Sequence, residues 1–398
     1  MPTIDDDYDA EVFLTEKETR DRELSIKLRA KGKITALGPP FQQSRRTEYE
    51  ALIKRGVFVP IHKDDPRVRG HRIFKSRMVD EVKGKETSAP YEKSRLVIQC
   101  FNDKGKREIL TQSPTIQRSS QRLLIFLAAA VKHLNRLRNQ SESHLAIRDI
   151  TQAYVQAETR LLRDIFAWPP EEIAGDFPPS TIFMVVLPLY GIPESGNHWF
   201  NTYHKYHVEN LQMETSTYDP CLLISTKESH EFGVVGMQTD DTLILGDEDF
   251  LAREQDEITK AGFLTKPIRV LLPTETITFN GCTISMDGDS LYMSQKGQGA
   301  RLELVGAGKE GYKKAYREQR ARAAYLATIC QPEATFDLSV AAQHQDPTED
   351  DVKALNLRLK WQMDNLERGL RYVLVDLRSA KVYVFVDGSF TNNKDLSL

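Results

Sequence analysis

The stretch Val234-Val235-Gly236-Met237-Gln238-Thr239-Asp240-Asp241-Thr242-Leu243-Ile244-Leu245-Gly246 sets two acids between two short apolar runs. Such runs around a tight turn read as a β-hairpin carrying adjacent carboxylates at its tip. Asp is common in turns because its side chain bonds its own backbone, so the pair is also consistent with an ordinary solvated turn. Adjacent carboxylates repel one another, however, and a bound cation relieves that repulsion. A third acid elsewhere in the chain decides between the two readings.

The candidate is Asp149. It ends the short strand pattern Leu145-Ala146-Ile147-Arg148, and a turn through Ile150-Thr151-Gln152-Ala153-Tyr154 follows it. An acid at the end of a buried strand must have its desolvation offset by something. Upstream, a helix is expected from Gln121 to about Arg138, with an apolar stripe of Leu123, Leu124, Leu127, Val131 and Leu134. Downstream come a strand at 183–187, a helix at 194–211, a strand at 218–224, the acidic hairpin and a helix at 249–261. A second hairpin follows, at 276–284 and 290–294. Helices covering one face of a small antiparallel sheet make an α+β layer architecture. That order places Asp149 and Asp240-Asp241 on neighbouring strands with their acids at one end. Two such acids can bridge a pair of Mg²⁺ ions on the order of 3.5–4 Å apart, an arrangement suited to in-line nucleotidyl displacement.

Composition narrows the class. A chain of 398 residues with 40% hydrophobic and 28% charged residues is of globular type and long enough for two or three domains. No apolar run approaches the roughly 20 residues that span a bilayer, so no membrane partner is expected. The N-terminus, with Asp5, Asp6 and Asp7, lacks the basic-then-apolar pattern of a signal peptide. Cys100, Cys221, Cys282 and Cys330 are scattered without a C-x-x-C pair, which suits a reducing, intracellular compartment.

The net charge of −3 conceals an asymmetry: residues 25–140 hold 26 Lys+Arg against 10 Asp+Glu, and the rest hold 28 against 47. A basic segment of this size suits phosphate contacts. Within it, strands at 72–83 and 93–100 joined by a Gly/Ser/Pro loop form a hairpin with Arg77, Lys83, Lys93 and Arg95. Such a hairpin reads either as a surface feature or as a clamp over a triphosphate.

These residues together resemble the reverse transcriptase of copia-type long-terminal-repeat retrotransposons, most closely the versions in fungal genomes, from about residue 20 to the end. Asp149-Ile150-Thr151-Gln152-Ala153-Tyr154 is similar to the family's first palm motif. Leu189-Tyr190-Gly191-Ile192-Pro193-Glu194 with Trp199 resembles its Leu-Tyr-Gly-Leu-Lys-Gln … Trp block, and Gln238-Thr239-Asp240-Asp241 stands where the family has Tyr-Val-Asp-Asp. Phe279-Asn280-Gly281-Cys282 resembles the primer-gripping hairpin, and Tyr325 to Glu333 the stretch after the thumb. Lys381 to Phe390 looks like the first strand of a ribonuclease H domain, with Asp387 its first metal-binding acid and the rest of that domain truncated. Departures are Gln238 for Tyr, Thr239 for Val, Glu194 for Gln and Gln331 for Arg.

The resemblance implies a right-hand polymerase fold: a lead-in over 1–40, fingers over 41–145, a palm over 146–285, and a thumb and connection over 286–378. A truncated ribonuclease H strand occupies 379–398. It implies RNA-directed DNA polymerase activity on an RNA template and DNA primer with deoxynucleoside triphosphates. Asp149, Asp240 and Asp241 would hold two Mg²⁺ ions, Mn²⁺ being the alternative. Ile150, Gln152, Ala153, Tyr154, Lys93, Arg95 and Glu194 would line the nucleotide site, with Tyr154 as the sugar gate. Phe279, Asn280 and Gly281 would grip the primer, and Lys266 is a candidate general acid for pyrophosphate. Capsid and integrase portions of a polyprotein are implied partners, in a cytoplasmic virus-like particle or the nucleus. The rival readings are a catalytically inactive nucleic-acid-binding relic and a two-metal nuclease.

Overall fold

The structure, a computed structural model, describes residues 15–85, 87–138, 142–308 and 310–384. Asp387 lies outside the described residues. The chain divides into two compact units interleaved along the sequence, one of residues 1–115, 150–212 and 261–265, the other of 116–149, 213–260 and 266–398.

In the first unit, β1 (Phe58–His62), β7 (Thr181–Val185), β6 (Ile165–Ala167) and β2 (Ile73–Phe74) form a sheet in that order. Its one parallel pair is β2 with β6. Beside it stands the expected basic hairpin, β3 (Ser76–Lys83) with β4 (Tyr91–Ile98), paired along eight residues from Ser76↔Ile98 to Lys83↔Tyr91. Its inward face carries Met78, Val82, Leu96 and Ile98, all buried. Helix α1 (Glu16–Ala30) begins with a capping box at Thr15 and Glu18 and packs on β3, while α2 (Gln42–Lys54) packs on β4. Helix α4 (Ser195–Glu209) buries Trp199 and Tyr203 against Phe263, with Val208 facing outward. The Leu189-Tyr190-Gly191 turn needs its glycine. A Cβ at Gly191 (φ 86°) would sit 1.9 Å from the Ile98 carbonyl oxygen, where the Ile98 N–H donates to the Tyr190 carbonyl at 2.8 Å.

The second unit is built on a six-stranded sheet in the order β12 (Arg269–Val270), β5 (Ser143–Asp149), β11 (Asp241–Asp247), β10 (Gly233–Gln238), β9 (Leu222–Ser225) and β8 (Met213–Thr215). Every neighbouring pair is antiparallel. The interiors of β10 and β11 are buried at consecutive positions, so these strands run apolar without alternation. Helices α3 (Arg118–Arg138) and α5 (Glu248–Lys260) back the sheet, giving the expected antiparallel sheet of an α+β chain. The buried face of α3 differs from the expected stripe: Gln121, Leu124, Ile125, Ala128 and Ala129 are inside, while Leu123 is exposed. The sequence count took the large residues, but the helix buries small alanines where it meets the sheet.

A second sheet in this unit joins β13 (Ile277–Phe279), β14 (Cys282–Asp287), β15 (Ser290–Gln295) and β16 (Leu370–Tyr372). Helices α6 (Tyr312–Ile329), α7 (Thr335–Gln343) and α8 (Glu349–Asp364) pack on one another and complete it. All four cysteines are buried free thiols. Among the described residues no helix is long and apolar enough to cross a membrane.

Candidate active site

The acids meet through strand register. On the β5–β11 ladder Asp241 is the direct partner of Asp149, and Thr242 of Arg148. Directly opposed residues of an antiparallel pair project from the same face, so Asp149 and Asp241 stand side by side. Alternation sends Arg148 the other way. There its guanidinium lies fully buried against the equally buried Glu254 of α5, donating from Nε at 2.7 Å. Asp240 belongs to the two-residue turn of the β10–β11 hairpin, whose last pair is Gln238↔Asp241. The preceding turn residue, Thr239, takes φ 52°, left-handed backbone that a β-branched residue adopts only under constraint.

The electrostatics follow from this crowding. Burial, then the charges of Asp240 and Asp149, push the Asp241 carboxyl up to about 6, against partial relief from Lys266 and Lys296. The Lys266 ammonium donates to Asp149 Oδ2 at 2.5 Å, and the Lys266 N–H donates to the Asp149 carbonyl at 2.9 Å. Lys266, the residue expected as a proton donor, is paired with Asp149 in this structure. Among the described residues no group of three His, Cys, Asp or Glu side chains is placed to hold one metal ion. The donor chemistry nevertheless fits a hard divalent cation: carboxylate oxygens only, gathered where their own repulsion raises a pKa.

The expected nucleotide-site residues fall in the first unit. Ala153 and Tyr154 lie on a 3-10 turn (Ala153–Gln156) that Gln152 opens in the left-handed region at φ 54°. The Gln152 amide donates to Glu48 of α2 at 2.8 Å. Glu48 is buried, and desolvation raises its pKa against the Gln152 hydrogen bond and the charges of Lys93 and Arg95. Lys93 and Arg95 share one face of β4, and the Arg95 guanidinium stands 5.8 Å from the centre of the Tyr190 ring. Tyr190 in turn packs against Tyr154 with centroids 5.3 Å apart. Tyr154, Tyr190 and Arg95 therefore form one contiguous contact, with the two rings tilted at 45°, and Gln152, Glu48, Lys93 and Arg95 one polar cluster. Ile150 is buried, bridged to Thr265.

Glu194 occupies a setting the sequence did not disclose. It is 5% exposed, and Arg163 grips it at 2.7 and 2.8 Å while also pairing with Asp103 at 2.5 Å. Its negative charge is held by a planar, two-bond guanidinium contact. Phe279, Asn280 and Gly281 form the β13–β14 turn in the second unit.

The chain is of the α+β class, and the solved structures similar to it include reverse transcriptase and telomerase structures. No family model and no curated protein matches the sequence. Among solved structures, the chain is similar to a foamy viral protease-reverse transcriptase in complex with dsDNA, with 10% identity and a TM-score of 0.44, over 82% of this chain and 58% of that one. It is also similar to telomerase from Candida albicans in complex with a TWJ fragment of telomeric RNA, with 9% identity and a TM-score of 0.39, over 81% of this chain and 66% of that one. A second foamy viral structure is matched over 48% of its length. The chain thus spans less than two thirds of these neighbours.

Proposed function

We propose that the chain is an RNA-directed DNA polymerase, the reverse transcriptase portion of a copia-type retrotransposon polyprotein. The observation that carries this reading is the register pairing of Asp149 with Asp241 beside Asp240 on the adjoining turn. Three carboxylates at one end of an antiparallel sheet are what nucleotidyl transfer to a primer 3′-OH requires. Two Mg²⁺ ions, or Mn²⁺ in their place, held by Asp149, Asp240 and Asp241 would lower the pKa of that hydroxyl and neutralise the leaving pyrophosphate.

The chain's own residues divide the remaining tasks. Lys93 and Arg95 provide the cations for β- and γ-phosphates, and backbone amides from Ile150 to Ala153 cradle phosphate oxygens. Tyr154, braced by Tyr190, is the ring against which a ribose 2′-OH would collide. Lys266 is the candidate general acid for pyrophosphate. Glu194, held by an Arg163 that it shares with Asp103, supports the floor of the nucleotide site. The turn of Phe279, Asn280 and Gly281 holds the primer, and phosphate contacts accept an RNA template of any sequence. Capsid and integrase segments of the same polyprotein are the proposed partners, inside the cell in a virus-like particle or the nucleus.

Primer extension on a homopolymer RNA template with Mg²⁺ tests the proposal. Wild type should extend. Asp149→Asn and Asp240→Asn should each lose at least about 100-fold, the scale of removing one charge-stabilising group, with melting temperatures that do not fall far enough to account for the loss. Extension at near wild-type rate by either variant would refute the acid assignment, and cleavage in place of extension would favour a nuclease.

A further inference from the structure

The turn between β13 and β14 is fastened more heavily than a hairpin needs. Asn280 and Gly281 take φ of 44° and 78°, and Phe279 pairs with Cys282 across them, which is a two-residue type I′ turn. Such a turn is stable by itself with the Asn-Gly dipeptide present here. Both of its carbonyls are nonetheless taken by side chains from other elements: Arg118 Nη1 donates to the Asn280 oxygen at 2.6 Å, and Gln298 Nε2 to the Gly281 oxygen at 2.8 Å. The Asn280 side chain donates to Gln121 at 3.2 Å, and Gln121, fully buried on α3, also donates to Cys282 Sγ at 3.2 Å.

Arg118 is the hub of this set. The same Nη1 also reaches Gln121 Oε1 at 3.0 Å. Nη2 donates to the Tyr325 hydroxyl at 3.3 Å, and the guanidinium lies over the Tyr325 ring, 5.6 Å from its centre. Tyr325 closes the other side: a Cβ on Gly281 would meet its hydroxyl oxygen at 2.4 Å. The turn is therefore clamped between the first residue of α3 and the outer face of α6. With its carbonyls held, the N–H groups of its two central residues, which have no partner in the hairpin ladder, keep a fixed direction.

We propose that Arg118 is the positioning residue of this turn, fixing through Gln121 and Tyr325 where the backbone amides of Asn280 and Gly281 meet a phosphodiester at a primer terminus. This rests on the polymerase reading for what lies at the turn. A rigid placement matters because misplacing a reacting terminus by an ångström slows chemistry far more than it weakens binding.

The test uses the whole chain with Arg118→Lys and Tyr325→Phe, a template-primer bearing 2-aminopurine at the primer 3′ end, and thermal melting. Lysine keeps the charge but cannot span Asn280, Gln121 and Tyr325 at once. Arg118→Lys should lower single-turnover nucleotide addition by up to about 100-fold, with template-primer Kd and nucleotide KM held within about twofold. The terminal fluorophore should become brighter and more mobile than in wild type without any nucleotide added. Tyr325→Phe should give the same pattern, more weakly. A fall in melting temperature and duplex affinity with an unchanged fluorophore signal would make Arg118 a packing residue and overturn the inference. If wild type orders the terminus yet never extends it, the polymerase reading fails while the positioning role stands. If wild type binds no template-primer, both fall.

Discussion

Asp241 faces Asp149 across a ladder pair, beside Asp240, in a place where burial already disfavours charge. Like charges directly opposed on neighbouring strands destabilise a sheet. A carboxyl held up to about 6 is still charged at neutral pH, but its ionisation costs more in the folded chain than in the unfolded one, and the folded state carries that cost unless a cation removes it. Asp241→Asn should therefore raise stability in a metal-free buffer at pH 7.5, by ~1 kcal/mol after allowance for solvent screening of a partly exposed group. Added Mg²⁺ should stabilise wild type more than the variant, narrowing the difference. Melting curves with and without Mg²⁺ measure both effects, and a variant that melts lower in metal-free buffer would contradict the crowding argument. Glu194 shows the opposite outcome at the same scale. Its sequence neighbours give no sign of a partner, because Arg163 lies 31 positions away and only the fold brings it to Glu194.

The ends of helix α1 are marked locally in the chain, by the Thr15–Glu18 capping box and the closing Gly32. What holds it is not. Its buried positions are Glu18, Asp21 and Ser25, and it docks on the β3–β4 hairpin through charge: Lys17 to Glu81 at 2.6 Å, Arg77 to Glu18 at 2.9 Å, Arg29 to Glu92 at 2.6 Å, and Lys85 to Asp21. A sequence pattern reveals an apolar stripe, whereas a buried polar face looks like a solvated one until its partners are placed. Burial would raise the Glu81 carboxyl, but hydrogen bonds from Lys17 and Lys83 outweigh it and hold it down to about 2. An acid with a depressed folded pKa contributes stability above its unfolded value, and that contribution is lost as pH falls through the folded one. Amide exchange across Glu16–Ala30, corrected for intrinsic rates, should therefore accelerate between about pH 4.5 and 2, before the β5–β11 ladder opens. Protection of α1 that persists to pH 2 would mean that half-buried Leu24 and Leu28 hold the helix instead. The acidic hairpin and the strand ending at Asp149 were readable for the converse reason: their apolar runs and turn residues are contiguous. The α3 stripe was misread because the helix buries alanines, which a count of large residues overlooks.

Across the whole chain, the asymmetry of charge that the sequence shows is a statement about partners and not about fold. Residues 25–140 carry a net +16, from 26 cations and 10 acids, within a molecule of net −3. Part of that excess is spent internally, since Arg77 and Lys85 are paired with Glu18 and Asp21, acids that lie outside the segment. Composition alone thus overstates the free positive charge. The proposed function still requires enough of it to hold a duplex through phosphates without reading bases. Each phosphate neutralised releases condensed counterions, so the logarithm of the binding constant should fall linearly with the logarithm of salt, with a slope of about −0.9 per contact. A template-primer held by about six contacts should lose on the order of 10³-fold in affinity between 50 and 200 mM salt, equally for unrelated sequences of one length. Anisotropy titrations over four salt concentrations with two unrelated template-primers measure slope and sequence dependence together. A slope near zero would assign the basic segment to internal ion pairing. A slope of the expected size with strong preference for one sequence would describe a site-specific binder, which a copying enzyme cannot be.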